Sequence, residues 1–226
     1  IVCLVFLGVP LLRVVSRVGW GMRSIQVQRF FEVVHIVALS AWFGAVGMSG
    51  VVAAVVFPAM GKMQPTLGAY PGYEGDHALL AGGLIAGKVF LIVDTIQFIA
   101  AAVALGSFVT MIVAGYSLNT LVRVLRSVVL LATMGLLSWH LFMLMDAMSK
   151  NLRSYWDFAA AGNTEQADVY KNAFMAMHET AANSLKGLML STLVCLVLAI
   201  WTGVRVGAVE LAAGTGAGAD ADSGQS

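Results

Sequence analysis

FFEVVHIVALSAWFGAVGMSGVVAAVVFPAM, residues 30–60, is almost wholly apolar, yet it carries Glu32 and His35 near its start. A helix needs about 20 apolar residues to cross a bilayer, so this stretch reads as a span near 31–57. Comparable runs follow near 84–113, 122–148 and 178–204. Of the 226 residues 59% are hydrophobic and only 11% charged, against roughly a quarter charged in a soluble domain. Mean hydropathy is +0.86. A water-soluble chain of this length could not hide that much apolar surface. The expected fold is all-α, a polytopic transmembrane helical bundle of four long spans.

Around the bundle lie two flanking regions. Residues 1–29 hold the apolar run IVCLVFLGVPLLRVV and a basic linker, and read as the end of an additional, partial N-terminal membrane helix. A cleaved signal peptide fits less well, because no charged n-region precedes the run and no small-residue cleavage site follows it. Residues 30–206 form the transmembrane domain. Residues 207–226, ending GTGAGADADSGQS, are small and polar and are expected to be a disordered tail. Cys3 and Cys195 sit in apolar segments and suggest neither a disulfide framework nor a zinc site. The net charge of +1 offers no footprint for nucleic acid.

Orientation follows from the arginines. Arg13, Arg17, Arg23, Arg29, Arg123, Arg126 and Arg205 all fall on one side of a four-span chain. The other side mixes Lys62, Lys150, Arg153 and Lys171 with several acids. The positive-inside rule makes the arginine side cytoplasmic and a bacterial inner membrane the expected location. Loops 58–80 and 149–172 then face outward. Within the second, Asn163 can cap a helix with Gln166 three residues on, so the fourth span should begin as an exposed amphipathic stretch. Tyr70, Tyr73, Tyr155, Trp156 and Phe158 in these loops suit either lipid headgroups or a partner interface.

Small residues recur where helices would pack. Ala41, Ala45, Ser49 and Ala53 form a stripe on the first span, and Gly83 and Gly87 make a GxxxG at the entrance to the second.

Several stretches resemble a known family in order and spacing. AWFGAVGMSGVVAAVVFPAM is similar to the first helix of bacterial DUF4149-type proteins, relatives of the transmembrane-protein-205-like proteins. LLAGGLIAGKVFLIVDTIQF resembles that family's second helix, with an acidic position at Asp94. MDAMSKNLRSYWDF resembles the exit of its third helix, and NAFMAMHETAANSLKGLML its fourth, with Phe174 and His178. The likeness covers about residues 30–204 and implies a four-helix membrane domain. It departs at the opening apolar segment, at Lys88, and at Thr180 and Ala181. It implies no activity.

Polar residues inside spans are costly unless paired or hydrated. Asp94 with Lys186, and Lys88 with Asp146, match in depth and are expected to pair as structural ties or as a proton or ion relay. His35 is expected to satisfy a backbone carbonyl or Glu32, one turn earlier. His77, His140 and His178 fall on the outer half among several methionines, a ligand set suited to copper(I). His140 with His178 is also the histidine pair left open for haem b. Against both stands the ordinary role of histidine as a hydrogen-bond partner in a bundle, with no cofactor.

No GxSxG, HExxH, P-loop or CxxC occurs. The expected function is a non-catalytic structural or accessory component, in contact with membrane lipid and with other membrane-protein subunits. The alternative is a small transporter or metal/ion-handling protein, and a haem-binding electron carrier comes third.

Overall fold

The computed structural model describes the backbone of residues 21–219 and the side chains of 25–203. The apolar opening segment therefore lies outside the described residues. Four helices are long and apolar enough to cross a membrane, and among the described residues helix is the only regular structure. The protein is a multi-pass membrane helical bundle.

Helix α1 (Gly21–Met63) ends where Gln64 adopts a left-handed φ of 45° and Pro65 follows. Gln64 N still closes on the Met60 carbonyl at 3.0 Å, a chain reversal typical of helix C-termini. Helix α2 (His77–Val113) begins on Asp76, whose carboxylate accepts from Leu79 N at 2.9 Å. It stops at Gly115, whose φ of +93° suits a residue without Cβ. Tyr116 N then bonds Met111 O and Gly115 N bonds Ile112 O, the paired bonds of a Schellman end.

The third span, Leu121–Ala160, is continuous. It comprises α3 (Leu121–Trp139), a π-helical turn (His140–Leu144) and α4 (Met145–Ala160). Helix α5 (Thr164–Ala219) follows a turn of only three residues. Gly162, at φ +72°, allows that reversal, and Asn163 Oδ1 accepts from Gln166 N as the sequence predicts. The outer loop expected over 149–172 is thus mostly helix. MDAMSKNLRSYWDFAA is rich in good helix formers, and low hydropathy marked where the membrane ends rather than where the helix does. The backbone of 207–219 is also helical, where a disordered tail was expected. AVELAA supplies helix formers there despite the glycines.

Helix α1 packs on α2 and α5, while α3 and α4 pack on α5. Leu39, Trp42, Ala104, Leu130 and Leu188 fill the centre at 0–1% exposure. Of the small-residue stripe, Ala45 and Ser49 are buried while Ala41 faces outward. A Cβ on Gly87 would sit 3.2 Å from the Trp156 ring, and one on Gly82 would meet Phe57 at 2.9 Å. Close approach between helices therefore depends on both glycines. The end with the 114–120 connection is here the basic end, and the opposite end, with 64–76 and 161–163, is the loop end.

Candidate functional site

Arg126 lies on the α3 face that also carries Leu130, Thr133 and Leu137 and so points inward. Its side chain is fully buried and lies 2.8 Å from Glu32 Oε1 of α1, the Glu32 side chain being 16% exposed. Arg126 Nη1 donates to Thr202 Oγ1 of α5 at 2.8 Å and to the Tyr116 hydroxyl at 3.3 Å. The guanidinium also faces the rings of Phe108 and Tyr116, at 5.3 and 5.7 Å, a favourable cation–π arrangement. Nε and Nη2 have no hydrogen-bond partner among the described residues. The site thus joins all four spans at the basic end around one charge pair. Burying such charges unpaired would be prohibitive.

His35, one turn after Glu32, is fully buried. Its Nδ1 lies 2.8 Å from the Ala104 carbonyl and 3.3 Å from Ser107 Oγ of α2. A carbonyl can only accept, so Nδ1 carries the proton and Nε2 is left as a bare acceptor. That Nε2 is buried and has no described partner. Of the two partners expected for His35, the backbone carbonyl is present and Glu32 is taken by Arg126.

Polar groups continue inward from this site. Thr133 and Cys195 meet at 3.8 Å between α3 and α5. Trp42 Nε1, Gln97 Oε1 and Thr192 Oγ1 are buried without partners among the described residues. Gln97 Nε2 donates to Asp94 Oδ1 at 3.1 Å, and His140 Nδ1 meets Ser184 Oγ at 2.6 Å. Every one to two helical turns, from Arg126 to His140, the interior therefore holds a buried polar side chain. His140 also opens the π-helical turn, its carbonyl accepting from Met145 N. Such turns are frequent at functional positions.

The depth-matched ion pairs do not form. Lys186 is exposed and bonds Asn183, while Asp94 bonds Gln97. The reason is topological: α2 packs chiefly on α1, and α5 on the other three helical segments. Equal depth does not make two helices neighbours. Asp146 pairs instead with Lys150 one turn on, at 2.7 Å, and Lys88 is exposed.

The three outer histidines also stay apart. His77 serves its own loop, accepting from Leu67 N at 3.2 Å and donating to Tyr73 O at 2.9 Å. His140 faces Ser184, and His178 is exposed beside Phe174. No group of three His, Cys, Asp or Glu side chains placed to hold a metal ion occurs among the described residues. Both His77 nitrogens are already engaged.

At the loop end the aromatics turn inward. Tyr73 and Tyr155 are 3% and 4% exposed and share a hydroxyl–hydroxyl bond of 3.0 Å. Tyr70, Trp156 and Phe158 are half-buried and pack around them. Burying the Tyr73 and Tyr155 phenols against each other pairs their polar tips and leaves only Tyr70, Trp156 and Phe158 of this set partly exposed. They form a cap on the bundle.

Arg126, Ser107, Thr202, Gln97 and Thr192 were not singled out from the sequence. For Arg126 the signal was present, since it shares the i+4, i+7 spacing of Leu130 and Thr133, but it was counted with the loop arginines. No family model, curated protein or solved structure matches the chain.

Proposed function

We propose that this protein handles a small ion within the membrane, with Glu32, His35 and Arg126 as its site and the basic end facing the cytoplasm of a bacterial cell. A buried arginine with unmet Nε and Nη2, beside a buried imidazole with a bare Nε2, carries this reading. Ionisable groups inside a bundle are rare and tend to mark ion paths. Unmet buried polar atoms call for waters or a ligand. The test is flux into liposomes holding the purified full chain, measured for protons, rubidium and chloride in parallel. Uptake of any one above protein-free liposomes, lost in Glu32→Gln, supports the reading. Uptake of none removes it.

A second reading, a non-catalytic structural or accessory component of a larger membrane complex, is favoured by a different observation. The polar contacts Glu32–Arg126, Arg126–Thr202, His35–Ala104 and His140–Ser184 each tie two different spans. Ties of this kind fix helix register. Purification from native membranes in mild detergent should then recover a stoichiometric partner, and recovery of the chain alone would count against it. The likeness to DUF4149-type proteins is compatible with either.

A further inference from the structure

We propose that the ion is the proton, carried between His35 and Asp94 by single waters held on the unmet polar atoms of Trp42, Gln97 and Thr192. This rests on the ion-handling reading above and names its substrate.

Space selects among ions. The bundle centre is filled by Leu39, Trp42, Ala104 and Leu188, all at 0% exposure. A hydrated metal cation or an anion needs a vestibule, whereas a proton needs only hydrogen-bonded groups with waters between them. An open groove of about 400 Å³ does exist between α1 and α2, but Val33, Val37, Ile96 and Val103 line it on the outer surface. It offers an ion nothing. Inside, the unmet atoms include both donors and acceptors. Arg126 Nε and Nη2 donate, His35 Nε2 accepts, Trp42 Nε1 donates, Gln97 Oε1 accepts, and the Thr192 hydroxyl does either. A file of waters requires both kinds, since each water needs two or more polar partners. His35 and Trp42 are seven residues apart on α1, a rise of about 10 Å, within the reach of a few waters.

The chemistry balances without a redox partner. A hydronium on the water beside His35 loses a proton as its O–H bond breaks, and the lone pair on His35 Nε2 forms the new N–H bond. The imidazolium then releases that proton to the next water and returns to the neutral ring, its Nδ1–H still donated to Ala104. The relay ends on the Asp94 carboxylate, half-buried and bonded to Gln97. The charged groups nearest His35 are Glu32, one turn earlier on α1, and Arg126 on α3, while α2 contributes the Ser107 hydroxyl and the Ala104 carbonyl.

The experiment uses full-length protein in liposomes with entrapped pyranine, a potassium gradient and valinomycin as the trigger. Wild type should acidify the lumen faster than protein-free liposomes. His35→Gln retains a donor for the Ala104 carbonyl but carries no proton, and Asp94→Asn retains an acceptor for Gln97. Each should lower the rate about tenfold or more, the scale of losing a proton-transfer group. Exposed Lys186→Met should keep the wild-type rate, and helicity and gel-filtration profile establish that each variant is folded. Wild-type flux no faster than empty liposomes, or full flux in both folded variants, overturns the proposal. Rubidium or chloride uptake without proton flux removes the proton and leaves ion handling standing. Silence for all three ions removes both.

Discussion

Replacing Arg126 by Met keeps most of the side-chain volume and deletes the charge, so it isolates the electrostatic part of the site. The Glu32 carboxylate would lose its counter-ion 2.8 Å away. Breaking a buried pair costs about 3–5 kcal/mol. The lower part of that range applies, because the Glu32 side chain keeps 16% exposure and can recruit water. Loss of the 2.8 Å bond to Thr202 adds about 1.5 kcal/mol, for a total of about 4–5. Glu32→Gln strands the guanidinium, but Thr202 and Tyr116 still accept from it, so about 3 kcal/mol is expected. The double variant removes both charges and should recover about 2 kcal/mol relative to the sum, a coupling typical of contacting residues. The assay is reversible unfolding in mixed dodecylmaltoside–SDS micelles followed by tryptophan fluorescence, with Trp42 as a core reporter. Single losses that add to within about 0.5 kcal/mol in the double variant would mean the two residues do not interact, and the site as described would be wrong.

The same cycle on Asp94→Asn and Lys186→Met should show coupling below about 0.5 kcal/mol, as for separated residues; a large coupling would place the two side chains in contact. Tyr155→Phe, which removes the 3.0 Å hydroxyl bond to Tyr73, should cost about 1 kcal/mol, and Tyr155→Ala about 3–5 by opening a cavity, both read from the same unfolding curves. Gly82→Ala drives a methyl to 2.9 Å from Phe57 and should cost about 1–3 kcal/mol. Gly106→Ala, with nothing within 4 Å, should instead be neutral or stabilise by up to about 1 kcal/mol. Thr66→Cys should react with a membrane-impermeant maleimide on intact cells while Ser117→Cys does not, and the reverse pattern would invert the orientation.

The spans were legible because apolar length is a property of the local sequence, and four runs of twenty or more residues leave little else for the chain to be. Helix ends were legible only where chemistry marks them. Asn163 announced its cap, but the true turn at 161–163 lies inside what hydropathy alone presents as a long polar loop. Pairing between spans was not legible, because it depends on which helices become neighbours. Depth put Asp94 opposite Lys186, and packing separated them. His35 was found as an anomaly on an apolar segment. Arg126 escaped notice because an arginine little more than one turn inside a span resembles one that flanks it until the neighbouring face is known to close over it.

The two glycines that touch across the loop end set a limit on how this protein can be engineered. A Cβ on Gly72 would lie 3.1 Å from the Gly162 Cα, and one on Gly162 would lie 3.3 Å from the Gly72 Cα. With Thr164 Oγ1 accepting from Glu74 N beside them, the 64–76 connection and the 161–163 turn are latched together. An epitope tag or a fiducial domain inserted at 161–163 would prise that latch open and uncover the tyrosine cap beneath. The 117–119 stretch, exposed throughout, is the better place to graft an insertion for imaging.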